Sequence, residues 1–302
     1  MHVPKLLQGV GSIPDQYKGI LLDQFGVLHD GKKPYPQAVE AVSELAAAGR
    51  KVLILSNSSR RAESILPKLV KMGFKESDFA GAISSGEIAW TALKERQGDF
   101  WKQLGTKCLH ITWGSRGPIS LKGLGLQVVT EPADAEFILA HGTEALGRGD
   151  DQEPEAIELD EIQALLQQCA DKGGVPMLVA NPDIMTVSGR SLLAMPGKLG
   201  QWYKGMGGEV HLLGKPDAVV YKRALEMLDL KAEEVLGVGD SVEHDIKGAT
   251  AAGVDSVFIA GGIHAEDLGV FDAGDEIDLD MLRDWLAAYS SKPTFVLPFL
   301  SA

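Results

Sequence analysis

Short apolar runs alternate along the chain with amphipathic stretches, and each run ends at a polar or glycine-rich turn. Gly19–Leu22 leads into Asp23, 51–55 into Ser56-Asn57-Ser58, 235–238 into Gly239-Asp240, and 254–259 into Gly261-Gly262. A strand covered by helices on both faces has no solvent side to keep polar, so such runs read as buried parallel strands. The intervening segments 36–48, 61–72, 217–228 and 246–252 carry helical spacing, the first opened by Pro36 and closed by Gly49. This alternation predicts an α/β fold with a doubly wound parallel sheet.

The same signals recur in the middle of the chain. Segments 107–111, 136–139 and 175–179 predict strands, 159–170 predicts an amphipathic helix, and the acidic, turn-rich stretch 147–154 predicts a surface loop. The expected organisation is therefore a core built from 1–84 and 196–302, with a smaller α/β domain, 85–195, inserted into it.

Composition narrows the possible partners. Of 302 residues, 45% are hydrophobic, enough for a large core and too many for a disordered chain. The balance of 29 Lys+Arg against 42 Asp+Glu gives a net charge of −13, and no basic run exceeds the pairs Lys32-Lys33 and Arg60-Arg61. Nucleic acid and anionic membrane are thus not expected partners. No apolar stretch approaches the roughly 18–20 residues of a membrane span. Cys108 and Cys169 are too few for a disulfide framework or a zinc ribbon and read as small core hydrophobes. A cytoplasmic protein is the resulting expectation.

In an open parallel sheet, chemistry gathers at the carboxyl ends of the strands. Asp23 is placed there, and a carboxylate at a strand end can attack phosphorus or simply cap the turn. Ser56-Asn57-Ser58-Ser59 offers hydroxyls and amides to an oxyanion, or caps the following helix. Lys215, in Gly214-Lys215-Pro216-Asp217, can neutralise charge on a transferring phosphoryl group or merely be solvated. Asp240 and Asp245 can face one hard cation from the same side, and oxygen donors without a supporting cysteine favour magnesium over zinc. The Gly-Val-Gly of 237–239 lacks the third glycine of a dinucleotide fingerprint.

Taken in order, these segments resemble the haloacid dehalogenase (HAD) superfamily of phosphatases, with a core of the Rossmannoid kind and a cap resembling that of the class IIA, NagD-like branch. The resemblance implies that Asp23 is the nucleophile, with Ser56 and Lys215 as its catalytic partners. It implies magnesium held by Asp23, the main-chain carbonyl of Phe25, Asp240 and Asp245. Ser56, Asn57, Ser58 and Lys215, with Asn181 and Asp183 of the cap, are the expected substrate-binding residues, although Asn181-Pro182-Asp183 reads equally well as an Asx-type turn. A small phosphorylated metabolite is the expected partner, with a homodimer through the cap as a further possibility.

One position breaks the family pattern. The second aspartate of the first motif, which protonates the leaving alcohol and then activates water, is replaced by Phe25. General acid–base assistance commonly contributes about 10²–10⁴ in rate. The expectation is a slow phosphatase favouring acidic leaving groups, or one in which His29 or His244 supplies the proton. The alternative is a catalytically impaired phosphate-binding or regulatory protein.

Overall fold

The computed structural model describes residues 3–188, 191–272 and 274–302. In chain order, strands β1 (Lys5–Leu6), β2 (Gly19–Leu22), β3 (Lys51–Ser56) and β4 (Gly81–Ser84) open the first sheet. Strands β5 (Lys107–Thr112), β6 (Gln127–Val129), β7 (Phe137–Ala140), β8 (Ala145–Leu146), β9 (Glu155–Ala156) and β10 (Met177–Val179) form a second sheet. An antiparallel hairpin of β11 (Met185–Ser188) and β12 (Ser191–Ala194) follows. Strand β13 (Val210–Leu212) returns to the second sheet, and β14 (Val235–Gly239), β15 (Asp255–Ile259) and β16 (Phe295–Leu297) complete the first.

The first sheet runs β1-β16-β15-β14-β2-β3-β4, and every pairing in it is parallel. Period-two alternation divides each apolar run between its two faces. Ile20, Leu22, Val52, Ile54, Leu236 and Val238 pack beneath helix Ala38–Ala47. Leu21, Leu53, Leu55 and Val235 pack on the other face against helices Ala218–Leu228 and Lys247–Ala251. Because both faces are covered, the runs carry no polar alternation, and the doubly wound α/β reading holds.

The second sheet runs β13-β10-β7-β5-β8-β9, with β6 paired to β5. Helices Leu159–Lys172 and Pro196–Gly205 cover one face through Ile162, Leu166, Leu199 and Tyr203. The expectation that the core resumes at residue 196 disagrees with this packing. Tyr203 donates its hydroxyl hydrogen bond to the Val175 carbonyl at 2.6 Å, and β13 pairs with β10, so the chain stays with the second sheet to residue 212. Helix Ser85–Glu95 leaves β4 and reaches the second sheet's other face, where Leu93 packs with Leu104 and Cys108. The loop 147–154 joins the short antiparallel strands β8 and β9. Among the described residues, no helix is long and apolar enough to cross a membrane.

Candidate active site

The first sheet changes direction at β2. From β2 the chain builds outward through β3 and β4, then returns to the opposite side of β2 as β14. Loops leaving neighbouring strands to opposite faces open a crevice at such a switch point. Asp23 follows β2 and Asp240 follows β14, and the Asp23 N–H donates to the Val238 carbonyl at 3.0 Å, holding the two strand ends together.

Beyond Asp240 the chain forms a wide π-helical turn, Val242–Ile246, before helix Lys247–Ala251. The helix predicted from residue 246 thus begins earlier and wider, in a form often found at functional sites. This turn returns Asp245 toward the sheet, where its Oδ2 accepts from the Ser241 N–H at 3.1 Å. Oxygens of Asp23, Asp240 and Asp245 all lie within 4.8 Å of one another. Gly26 lets this happen: its φ is +78°, and a Cβ there would stand 1.7 Å from Asp240 Oδ2.

Lys215 reaches the same cluster from the loop after β13. Its Nζ lies 2.9 Å from Asp23 Oδ1 and 2.6 Å from Asp245 Oδ1, with the residue only 2% exposed. Burial opposes the ammonium, and the Asp23 and Asp245 charges outweigh it, holding Lys215 well above the ordinary lysine value. Burial pushes the Asp23 carboxyl up to about 7 despite the Lys215 charge. Asp240 is also held well above the usual carboxylate range, by burial and then by the charges of Asp23 and Asp245. One lysine therefore leaves the three acids undercompensated. This all-oxygen donor set suits a hard divalent cation such as magnesium.

A cavity of about 390 Å³ opens in front of Asp23. Ser56, Ser58, Asn181 and Asp183 line it, four of the six expected substrate-binding residues, whereas Asn57 and Lys215 are not part of its lining. The turn reading of 181–183 is also present, since the Asp183 N–H donates to Asn181 Oδ1 at 3.0 Å. Asn57, expected to touch substrate, is instead a buried strut. Its Nδ2 donates to Asp183 Oδ1 at 2.8 Å, and its Oδ1 accepts from the Lys215 N–H at 2.8 Å and from Ser85 Oγ at 3.2 Å. It therefore fixes Lys215 and the Asp183 loop relative to β3.

The Phe25 ring meets His29 edge-on with 4.6 Å between centroids, and Lys68 Nζ stands 4.9 Å from its centroid. The proposal that His29 shuttles protons fails on this geometry. His29 is fully buried behind Phe25, its Nδ1 accepts from the Gly31 N–H at 3.1 Å, and its Nε2 has no hydrogen-bond partner. Burial, then the Lys68 charge, lowers its pKa to about 4, so the ring stays neutral. His244 lies nearer the acids, with Nδ1 3.0 Å from Ser241 Oγ and 3.5 Å from Asp183 Oδ1.

The sequence reading missed the cations of this cavity as a group. Lys32, Arg60, Lys68 and Arg116 all line it, drawn from four separate segments with no shared motif. Of the Arg60-Arg61 pair, Arg61 is neutralised by Glu87, with its Nε 2.6 Å and its Nη2 2.9 Å from the carboxylate. Arg60 instead donates to the carbonyls of Arg116 and Gly117.

Comparison with known proteins agrees with this architecture. Residues 20–126 match the haloacid dehalogenase-like hydrolase family, and residues 212–301 match a second HAD-hydrolase-like family. A D-glycerol 3-phosphate phosphatase of Mycobacterium tuberculosis is 25% identical over 84% of this chain and 66% of its own length. A haloacid dehalogenase-like hydrolase from Brucella suis superposes over 99% of this chain and 100% of its own with a TM-score of 0.75 at 26% identity. NagD from Escherichia coli K-12 shares the fold, with a TM-score of 0.61 at 18% identity over 94% of this chain and 97% of its own. The first match spans β2 to β4 and runs on into the inserted sheet through β5, the second spans β14 to β16, and the fold likeness covers the whole of both sheets. The chain belongs to the haloacid dehalogenase-like hydrolases.

Proposed function

We propose that the protein is a magnesium-dependent phosphomonoesterase that works through an aspartyl-phosphate on Asp23 and acts slowly on a small phosphorylated metabolite. The observation that carries this reading is the meeting of Asp23, Asp240 and Asp245 at the switch point, with Lys215 bonded to two of them. The phosphatase activity named for the Mycobacterium tuberculosis relative supports it.

Asp23, Asp240, Asp245 and the Phe25 main-chain carbonyl would hold the ion, which when bound supplies Lewis-acid charge neutralisation. An Asp23 carboxylate oxygen attacks phosphorus, and the ester oxygen leaves with the electron pair of the breaking P–O bond. Water then attacks the phosphorus of the acyl phosphate, releasing phosphate and restoring the carboxylate. Lys215 keeps Asp23 oriented and offsets its charge, while the Ser56 and Ser58 hydroxyls face the phosphoryl oxygens.

With Phe25 at the usual acid position and His29 fully buried, the loop after β2 offers no proton donor at that position for the leaving oxygen. Alkoxide leaving groups should therefore be expelled more slowly than phenolates by roughly the 10²–10⁴ that acid catalysis contributes. The buried thiols of Cys108 and Cys169 fit a reducing, cytoplasmic setting. A homodimer through the cap remains part of the proposal, to be checked by sedimentation.

The deciding experiment is phosphate release from 4-nitrophenyl phosphate with magnesium, in the parent and in Asp23→Asn. The reading predicts magnesium-dependent turnover that disappears in the variant. Unchanged release in Asp23→Asn would remove the nucleophile assignment. No turnover of any ester, with magnesium-dependent phosphate binding retained, would favour the binding-protein alternative.

A further inference from the structure

We propose that the cavity in front of Asp23 contains a second anion subsite, formed by Arg60, Lys68 and Arg116. Through it the protein would select phosphate esters whose leaving group carries its own negative charge, a carboxylate or a second phosphate. This inference rests on the phosphatase reading for its catalytic form and adds the substrate class.

Charge is the first observation. The protein as a whole is strongly acidic, at −13, yet four cations, Lys32, Arg60, Lys68 and Arg116, line this cavity with only Asp23 and Asp183 against them. Among the described residues none of the four has a carboxylate within ion-pairing distance, although their neighbour Arg61 pairs with Glu87 at 2.6 Å. Glu144, whose charge acts on Arg116, has its Oε2 accepting from the Gly114 and Ser115 N–H groups and from Ser115 Oγ, at 3.1, 2.8 and 2.8 Å. Asp23 and Asp183 are likewise committed, to Lys215 and to Asn57.

The second observation is that these cations are held in place. Arg116 lies over the Trp113 ring, with its guanidinium carbon 4.6 Å from the centroid. Trp113 is buried and donates from Nε1 to Ser59 Oγ at 2.9 Å. Arg60, in the loop after β3, donates to the carbonyls of Arg116 and Gly117 in the loop after β5. Lys68 is set over the Phe25 ring. The bonds of Arg60 and Trp113 join the two sheets across the cavity, and they concentrate like charge where mutual repulsion opposes it. Such an arrangement costs stability unless an anion is bound between the cations.

Phe25 gains a purpose in this light. An aspartate at that position would add a third carboxylate to the lining of this cavity, against its cations. Phenylalanine instead leaves the Lys68 ammonium over an aromatic face, available to a ligand. The loss of the proton donor and the absence of that carboxylate therefore come from the same substitution.

The test compares esters matched in shape and different in charge, with magnesium present: 4-carboxyphenyl against 4-carbamoylphenyl phosphate, and 3-phosphoglycerate against glycerol 3-phosphate. A hydrogen bond to a charged group contributes enough to expect a preference in kcat/KM of about 10- to 100-fold for the charged member of at least one pair. Added salt should shrink this preference. Arg116→Gln and Lys68→Met, neither of which breaks a buried hydrogen bond, should each cut it by about tenfold or more, chiefly through KM.

Turnover of both members of each pair within twofold would overturn the subsite and leave the phosphatase reading standing. If no ester is turned over, calorimetric titration of the magnesium-loaded protein with the same pairs decides the question. Tighter binding of the charged member, lost in Arg116→Gln, supports the subsite even though the phosphatase reading has failed; equal binding overturns it.

Discussion

Replacing Lys215 by methionine separates the electrostatic tasks of the site. The substitution keeps the length of the stem and removes an ammonium that is 2% exposed and bonded to Asp23 and Asp245 at 2.9 and 2.6 Å. Breaking a buried ion pair from one side costs about 3–5 kcal/mol, because the partner charge is left uncompensated. At roughly 2–4 °C per kcal/mol for a chain of this general size, the metal-free protein should melt about 6–20 °C lower. Three mutually repelling carboxylates would then have no cation, so magnesium should bind more tightly than in the parent, by about tenfold, as it replaces the missing charge. With saturating magnesium the loss of melting temperature should shrink to less than half. Turnover should still fall by about 10²–10³, since the lysine is placed to offset charge developing on the phosphoryl group. Calorimetric titration with magnesium, thermal melts with and without the ion, and a phosphate-release assay measure these quantities. Weaker magnesium binding, or an equal melting loss in both conditions, would refute the view that lysine and metal compensate the same acids.

Three further outcomes follow from the same geometry. The raised carboxyls of Asp23, at about 7, and Asp240 must release protons to bind a cation. Their neutral forms favour the metal-free fold at acid pH, and that contribution is lost as pH rises through 7, so metal-free melting should fall from pH 5 to 8 while the gain from magnesium grows. The magnesium dissociation constant should weaken by about tenfold per unit below pH 7 for each proton released, and a pH-independent constant would contradict this. Phe25→Asp should raise turnover of alkyl phosphates by about 10²-fold or more if the missing acid limits the rate, and no change in a steady-state assay would show that another step does. Gly26→Ala puts a Cβ at φ +78° and 1.7 Å from Asp240 Oδ2, so magnesium affinity should drop by about tenfold or more; calorimetry giving parent-like affinity would exclude this packing constraint.

Much of the fold was legible because its strands are buried on both faces. Gly19–Leu22, Lys51–Ser56, Val235–Gly239 and Asp255–Ile259 coincide with apolar runs for that reason. Strand Gly81–Ser84, at the edge of the first sheet, carries a weak signal. The short antiparallel hairpin of Met185–Ser188 and Ser191–Ala194 stands outside both larger sheets, and its Leu192 and Leu193 are exposed. The inserted unit's second border was misplaced because helix Pro196–Gly205 is amphipathic whichever sheet it covers. Only the pairing of Val210–Leu212 with Met177–Val179 decides the matter.

The site divides along the same line. Asp23, Ser56, Lys215, Asp240 and Asp245 could be named from sequence because each follows a strand or sits in a recognisable turn, and residue type at a strand end is a local property. Whether His29 faces the reaction or hides behind Phe25 depends on side-chain direction, which sequence spacing does not set. That Asn57 braces Lys215 instead of touching substrate is likewise a matter of partners 158 residues away. The cluster of Arg60, Lys68 and Arg116 exists only because two sheets face each other across one cavity. The sequence by itself determined the strand order of chemistry: which acids, which lysine, and the phenylalanine standing where an acid is expected. Only the tertiary structure decided what surrounds them, because burial and charge at a point in space are summed over segments that the chain keeps far apart.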